Sequence, residues 1–147
     1  MTFEPVMDAQ AVAAFIAAEF PQVNEGGPFY TVASVFAGGA VLRLEPSDRH
    51  LRPGGTVSGP TLFALADLAA YAAILAHIGP VALAVTTNLN INFMRKPAMK
   101  PLDGECRLLK LGKRLAVAEV TIRHPGEPEI LAHATTTYSI PGGNSMR

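Results

Sequence analysis

The chain has 147 residues, with twelve Lys and Arg set against twelve Asp and Glu, so its formal net charge is zero. That is the length of one domain with room for a real core, and nothing in its overall charge points to nucleic acid or an anionic membrane surface. Hydrophobic residues make up 49% and charged residues only 16%. This leaves more apolar surface than one small subunit hides and predicts a homodimer or homotetramer.

The opening Met1-Thr2-Phe3-Glu4-Pro5 has neither a basic n-region nor an apolar h-region, so no signal peptide is read there. The single Cys106 excludes an internal disulfide and suits a reducing cytoplasm. Asp8 is placed to cap a helix over Ala9–Phe20, with Val12, Phe15, Ile16 and Phe20 on one face. Pro21 and Asn24-Glu25-Gly26-Gly27-Pro28 close it, so residues 1–28 read as an N-terminal helix and loop. Tyr30–Phe36, a Gly38-Gly39 turn and Val41–Glu45 read as a hairpin. Residues 46–55 form a polar loop carrying Asp48, Arg49, His50 and Arg52.

Next comes a long helix from Gly59 to Ile78, ended by Gly79-Pro80. It is apolar all round, so it is buried either in lipid or in protein. Asp67 near the middle of the apolar run would cost ~2.5–3.5 kcal/mol in a bilayer, and Ala offsets little of that. Burial in protein is therefore the reading, with no membrane partner. Val81–Phe93 follows as a strand, with Thr87, Leu89, Ile91 and Phe93 on one face and Thr86, Asn88, Asn90 and Asn92 on the other. Met94-Arg95-Lys96-Pro97 ends it. Gly104–Leu111, Leu115–Arg123 and Ile130–Ile140 are three more strands, joined by turns at Gly112-Lys113-Arg114 and His124–Pro128. Residues 141–147 are expected to fray, and the chain is one domain over 1–147.

Strands joined by tight turns pair antiparallel. Five to six of them wrapped about one Ala-rich central helix describe an α+β protein of the hotdog fold. On that helix Asp67 is flanked on every face by Ala, Leu, Phe or Tyr. A carboxylate so placed must be paired, wet or protonated, and such sites are enriched in catalytic acids and bases.

Three ordered blocks resemble the hotdog acyl-CoA thioesterases, in particular the phenylacetyl-CoA thioesterase (PaaI) branch. They are Arg52-Pro53-Gly54-Gly55-Thr56-Val57-Ser58-Gly59 leading into Ala64-Leu65-Ala66-Asp67, then Thr86–Pro97, then Gly112–Val120. The resemblance covers roughly Leu42 to Tyr138. It implies that Asp67 is the base or the nucleophile acting on a thioester. It also implies that the backbone N–H of Gly59, eight residues earlier, polarises the thioester carbonyl. Where the family often has His-Gly-Gly, this chain has Ser58-Gly59-Pro60; where it commonly has Asn or Gln, this chain has Arg52.

Eight helical residues rise ~12 Å, so Gly59 and Asp67 of one chain cannot both touch one carbonyl. If both act, they come from different chains and the site lies at a subunit interface. Gly59 sits where a helix start exposes N–H groups and its positive dipole end; Pro60 beside it, a candidate substrate-binding residue, has no N–H to lose there. Ser58 is either a helix cap or a catalytic hydroxyl. Arg52 is a clamp for a carboxylate or phosphate, a partner of Asp67, or a surface residue. Thr86 and Asn88 are candidates to orient water or thioester, and Tyr71 to line the acyl pocket. Arg95, Lys96, Lys113 and Arg114 are candidates to hold the phosphates of coenzyme A.

His50, His77, His124 and His133 lack metal-ligand spacing, so no metal is expected, and no cofactor beyond CoA as part of the substrate. His77 near the helix C-terminus reads as a favourable dipole contact. The resulting expectation is hydrolysis of a small aromatic or medium-chain acyl-CoA. The alternatives are a non-catalytic acyl-CoA binder and a hotdog dehydratase or hydratase. The last is disfavoured, since its usual His–acid pair would have to be made by His77, ten residues from Asp67.

Overall fold

Asp8 accepts a hydrogen bond from the Ala11 N–H at 2.8 Å and starts the first helix where expected. The computed structural model describes residues 3–142; Gly143, Asn144 and the rest of the tail expected to fray lie outside them. In chain order the elements are α1 (Ala9–Glu19), β1 (Tyr30–Phe36), β2 (Gly39–Leu44), α2 (Gly59–Ile78), β3 (Val85–Phe93), β4 (Leu102–Leu111), β5 (Leu115–Arg123) and β6 (Ala132–Ser139). Two single-turn 3-10 helices, Pro21–Asn24 and Asp48–His50, stand in segments read from sequence as plain loop.

The six strands form one antiparallel sheet in the order β1-β2-β4-β5-β6-β3. It wraps around α2 in the hotdog arrangement. Thirteen of the twenty residues of α2 are buried, so the apolar run is covered by its own sheet. The close fit depends on small residues: Ala66, Ala69, Ala70, Ala72, Ala73 and Ala76 have no exposed surface. Gly104 on β4 faces them, and a Cβ there would stand 3.2 Å from the Ala69 Cβ and 3.3 Å from Leu65 Cγ. Any larger residue at 104 would push sheet and helix apart.

Two expectations need correcting. The strand expected from Val81 begins at Val85, because residues 81–84 turn, with Val81 N–H donating to Gly79 O and Ala84 N–H to Val81 O. Pairing shifts between Thr86 and Asn88, so Thr87 is a bulge that breaks the two-residue alternation. Thr86 therefore faces inward with its partner Tyr138, while Asn88 pairs with Thr137 on the outer face. His77, in the last turn of α2, is held at both ring nitrogens: its Nε2 accepts from the Gly38 N–H at 3.0 Å and its Nδ1 donates to Ala73 O at 2.7 Å. His77 thus ties α2 to the β1–β2 turn.

Candidate active site

Asp67 lies midway along α2, half-buried, on the side of the helix that meets β3 and β6. Its Oδ1 accepts from the Thr86 hydroxyl at 2.5 Å and from the Tyr138 hydroxyl at 2.8 Å. The same Tyr138 hydroxyl lies 2.9 Å from the Asp67 main-chain carbonyl. Burial, then the facing carboxylate, push the Tyr138 phenol far above its ordinary range, so it stays protonated and remains a donor. These contacts remove the cost of a stranded carboxylate. They also distinguish its two oxygens: Oδ1 is held by two donors, while Oδ2 has no partner among the described residues.

A cavity of about 180 Å³ opens over Asp67, walled in part by Phe20, Tyr71, Val85 and Thr86. Tyr71 is fixed there by its hydroxyl, which donates to Ala82 O at 3.0 Å. Its ring stacks on Tyr138 at 6.4 Å and meets Phe20 edge-on at 6.2 Å. Thr86 thus touches Asp67 itself, and Tyr71 lines the space beside it. Asn88 is exposed on the other face of β3 and is not brought to the carboxylate.

Gly59 is the first residue of α2, and Ser58 is its N-cap. The Ser58 Oγ accepts from the Thr61 N–H at 3.3 Å and lies 2.9 Å from the Thr61 hydroxyl; the Leu62 N–H goes to Ser58 O. Pro60 has no N–H to offer. The Gly59 N–H is therefore the one donor of this first turn without a partner among the described residues. It belongs to a second, larger cavity of about 410 Å³, whose walls include Arg52, Phe93, Arg95 and Lys96. Pro60 is exposed and is not a wall of that cavity. Arg52 is exposed at its rim and makes no ion pair with Asp67 among the described residues.

The two cavities lie at opposite ends of β3: Val85 and Thr86 face one, Phe93 the other. The strand is nine residues long, so its ends lie about 26 Å apart. Lys113 and Arg114 belong to the Asp67 end, because Leu115 and Val85 both pair with Ser139. The four basic residues grouped from sequence are thus split two and two within one chain. Sequence reasoning missed Tyr138, although the alternation Ala132, Ala134, Thr136, Tyr138 already put it on the inner face. Among the described residues no group of three His, Cys, Asp or Glu is placed to hold a metal ion.

Residues 54–131 match the family model described as Thioesterase superfamily. Among solved structures, a thioesterase candidate from Silicibacter sp. TM1040 is 46% identical, covers 95% of both chains and superposes with a TM-score of 0.85. A point mutant of the phenylacetic acid degradation protein PaaI from Thermus thermophilus is 25% identical over 86% of this chain and 98% of its own, with a TM-score of 0.67. A Streptococcus mutans UA159 protein bound to acetyl CoA shares the fold at 22% identity, 78% and 90% coverage and a TM-score of 0.68. No protein of curated function matches the chain in sequence.

Proposed function

The chain belongs to the thioesterase superfamily, and from that premise we propose that it hydrolyses a small aromatic or medium-chain acyl-CoA to free acid and CoA, in a site built from two copies of the chain. The observation that carries this reading is the Asp67 carboxylate, with Oδ1 pinned by Thr86 and Tyr138 and Oδ2 open to its cavity. Solved structures of a PaaI protein and of an acetyl-CoA complex with the same fold support the substrate class.

The second copy enters through β3. This strand ends the sheet, and its terminal residues Val85 and Phe93 are 56% and 54% exposed. An open edge of this length is a template for pairing. Two copies joined antiparallel along β3 about a two-fold axis bring the Asp67 end of one against the Gly59 end of the other. The rotation also gathers Arg52, Arg95 and Lys96 of one copy with Lys113 and Arg114 of the other. Five cations then rim one site, matching the phosphates of CoA.

In that site the thioester carbonyl oxygen accepts from the unpartnered Gly59 N–H of the second copy, a donor of the kind that stabilises an oxyanion. Asp67 Oδ2 then takes a proton from water as the hydroxide adds to the carbonyl carbon. The tetrahedral adduct collapses, the C–S bond breaks, and the proton held by Asp67 goes to the CoA thiolate. As nucleophile, Oδ2 would instead add directly, expel CoA and leave a mixed anhydride for water to cleave. A single turnover in heavy-oxygen water tests the second route, since label in Asp67 requires an anhydride that water cleaves at the aspartyl carbon. The one cysteine fits a cytoplasmic setting for this work.

The test is free-thiol release from a panel of aromatic and aliphatic acyl-CoAs. Wild type should turn over, and Asp67→Asn should lose about 10²–10⁴-fold in kcat with its fold intact. Tight CoA binding without thiol release on any substrate would replace this reading with that of an acyl-CoA binder.

A further inference from the structure

A third cavity, of about 140 Å³, lies between α1 and the β1–β2 hairpin. Its walls include Ala13, Ile16 and Ala17 of α1, Val32 of β1, Leu42 of β2 and Leu68 of α2, and none of its lining residues is charged. The one side-chain amide at its rim is engaged: Asn24 bonds both the N–H and the carbonyl of Tyr30. Tyr30 and Thr31 complete its polar lining, and no group there carries a charge that would select a charged ligand.

Its position gives it a purpose. Leu68 is a wall both of this cavity and of the one over Asp67. Residues 13, 16 and 17 lie along one face of α1, at the spacing that stacks side chains in a row, and Phe20 follows them as the C-cap of the helix. The first three line the apolar cavity and Phe20 lines the Asp67 cavity. The helix and its cap thus run from one space to the other, and Leu68 lines both. The volume is close to that of a ~150 Å³ apolar protein cavity known to hold benzene.

Resting on the thioesterase reading above, we propose that this cavity receives the far end of the acyl group, and that it is sized for a phenyl ring or a chain end of about six carbons. A thioester carbonyl at Asp67 then sends its acyl group past Leu68 and beneath α1. Leu68 and Val32 become the residues that set which acyl groups are accepted.

The test uses the full chain, with acetyl-, hexanoyl- and phenylacetyl-CoA as substrates and free hexanoate as a probe that needs no turnover. Val32→Phe narrows the cavity from the sheet; Ala17→Leu narrows it from an exposed helix position that leaves the core alone. Each should lower kcat/KM for the two larger substrates by about 10–200-fold and leave acetyl-CoA within about twofold. Hexanoate should shift the methyl NMR signals of Ile16, Val32 and Leu42 in the wild type. In an active enzyme, an unchanged substrate profile in both variants, or an equal loss on all three substrates in both, overturns the proposal and leaves the thioesterase reading standing. If the wild type hydrolyses none of the three, the methyl shifts decide alone. Shifts keep the cavity as a hydrocarbon site while the thioesterase reading falls, and their absence sinks both.

Discussion

The Tyr138 hydroxyl lies 2.8 Å from Asp67 Oδ1 and 2.9 Å from the Asp67 main-chain oxygen, so one residue of β6 fixes both the carboxylate and the helix turn that carries it. Its single proton is shared across the two acceptors, and Thr86 supplies a second donor to Oδ1. The carboxylate is thereby aimed, with Oδ2 as its only free end.

Tyr138→Phe keeps the buried ring and removes that donor. Tyr138 acts through Asp67, so it is a positioning residue. The variant should lose about 1 kcal/mol of stability and about tenfold in kcat, with KM within about twofold. Thr86→Val should do the same. Because both donors act on one oxygen, the double variant should depart from the sum of the two singles. Steady-state kinetics beside urea unfolding checks this; a rise in KM with unchanged kcat would place Tyr138 in substrate binding instead.

The basic rim has its own signature. Arg95→Ala and Lys113→Ala should each raise KM for an acyl-CoA by ~2–5-fold, as expected for exposed charge pairs, and less so at high salt. Neither should alter KM for the same acyl group on N-acetylcysteamine, a thiol without phosphates. Equal effects on both thioesters would show that these residues do not read the CoA phosphates.

Stability should fall in mild acid through His50. Burial, then the neighbouring Arg49, lower its pKa in the folded protein, while its Nδ1 accepts from the Ser47 N–H at 2.9 Å. The unfolded chain takes up this proton first, near the ordinary value of about 6.5. The contribution is therefore complete above that pH and is lost as pH falls through it toward the lower folded value. The His50 carbonyl accepts from the Ser58 N–H at 2.8 Å, so the loss reaches the start of α2. Urea midpoints between pH 7 and pH 5 should fall more steeply for wild type than for His50→Gln. Equal slopes would remove His50 from the account.

Much of the fold was legible in the sequence, because the signals were local. The caps at Asp8 and Ser58, the Gly79-Pro80 stop and the alternation of Leu115–Arg123 each act within a few residues, and α2 runs over the range read for it. The Thr87 bulge was not legible: nothing in a run of Thr and Asn marks where pairing slips, and one slipped residue turned Thr86 inward and left Asn88 outside. The bond between His77 and the Gly38 N–H joins residues thirty-nine apart. Asp67 and Gly59 stood out as chemistry on a helix. The Tyr138 hydroxyl did not, because only the β6–β3 pairing brings it beside Asp67 and Thr86.

The central claim is that Asp67 of one copy works with Gly59 of another, and mixing two inactive variants tests it most directly. Asp67→Asn lacks the carboxylate. Gly59→Pro lacks the N–H, at a helix position that tolerates proline. Each alone should be nearly inactive. Unfolded and refolded together in equal amounts, half of the dimers become hybrids, each with one intact site of two, so activity should return to about one quarter of wild type. Hybrids that form and show no activity above the separate variants would contradict the shared site.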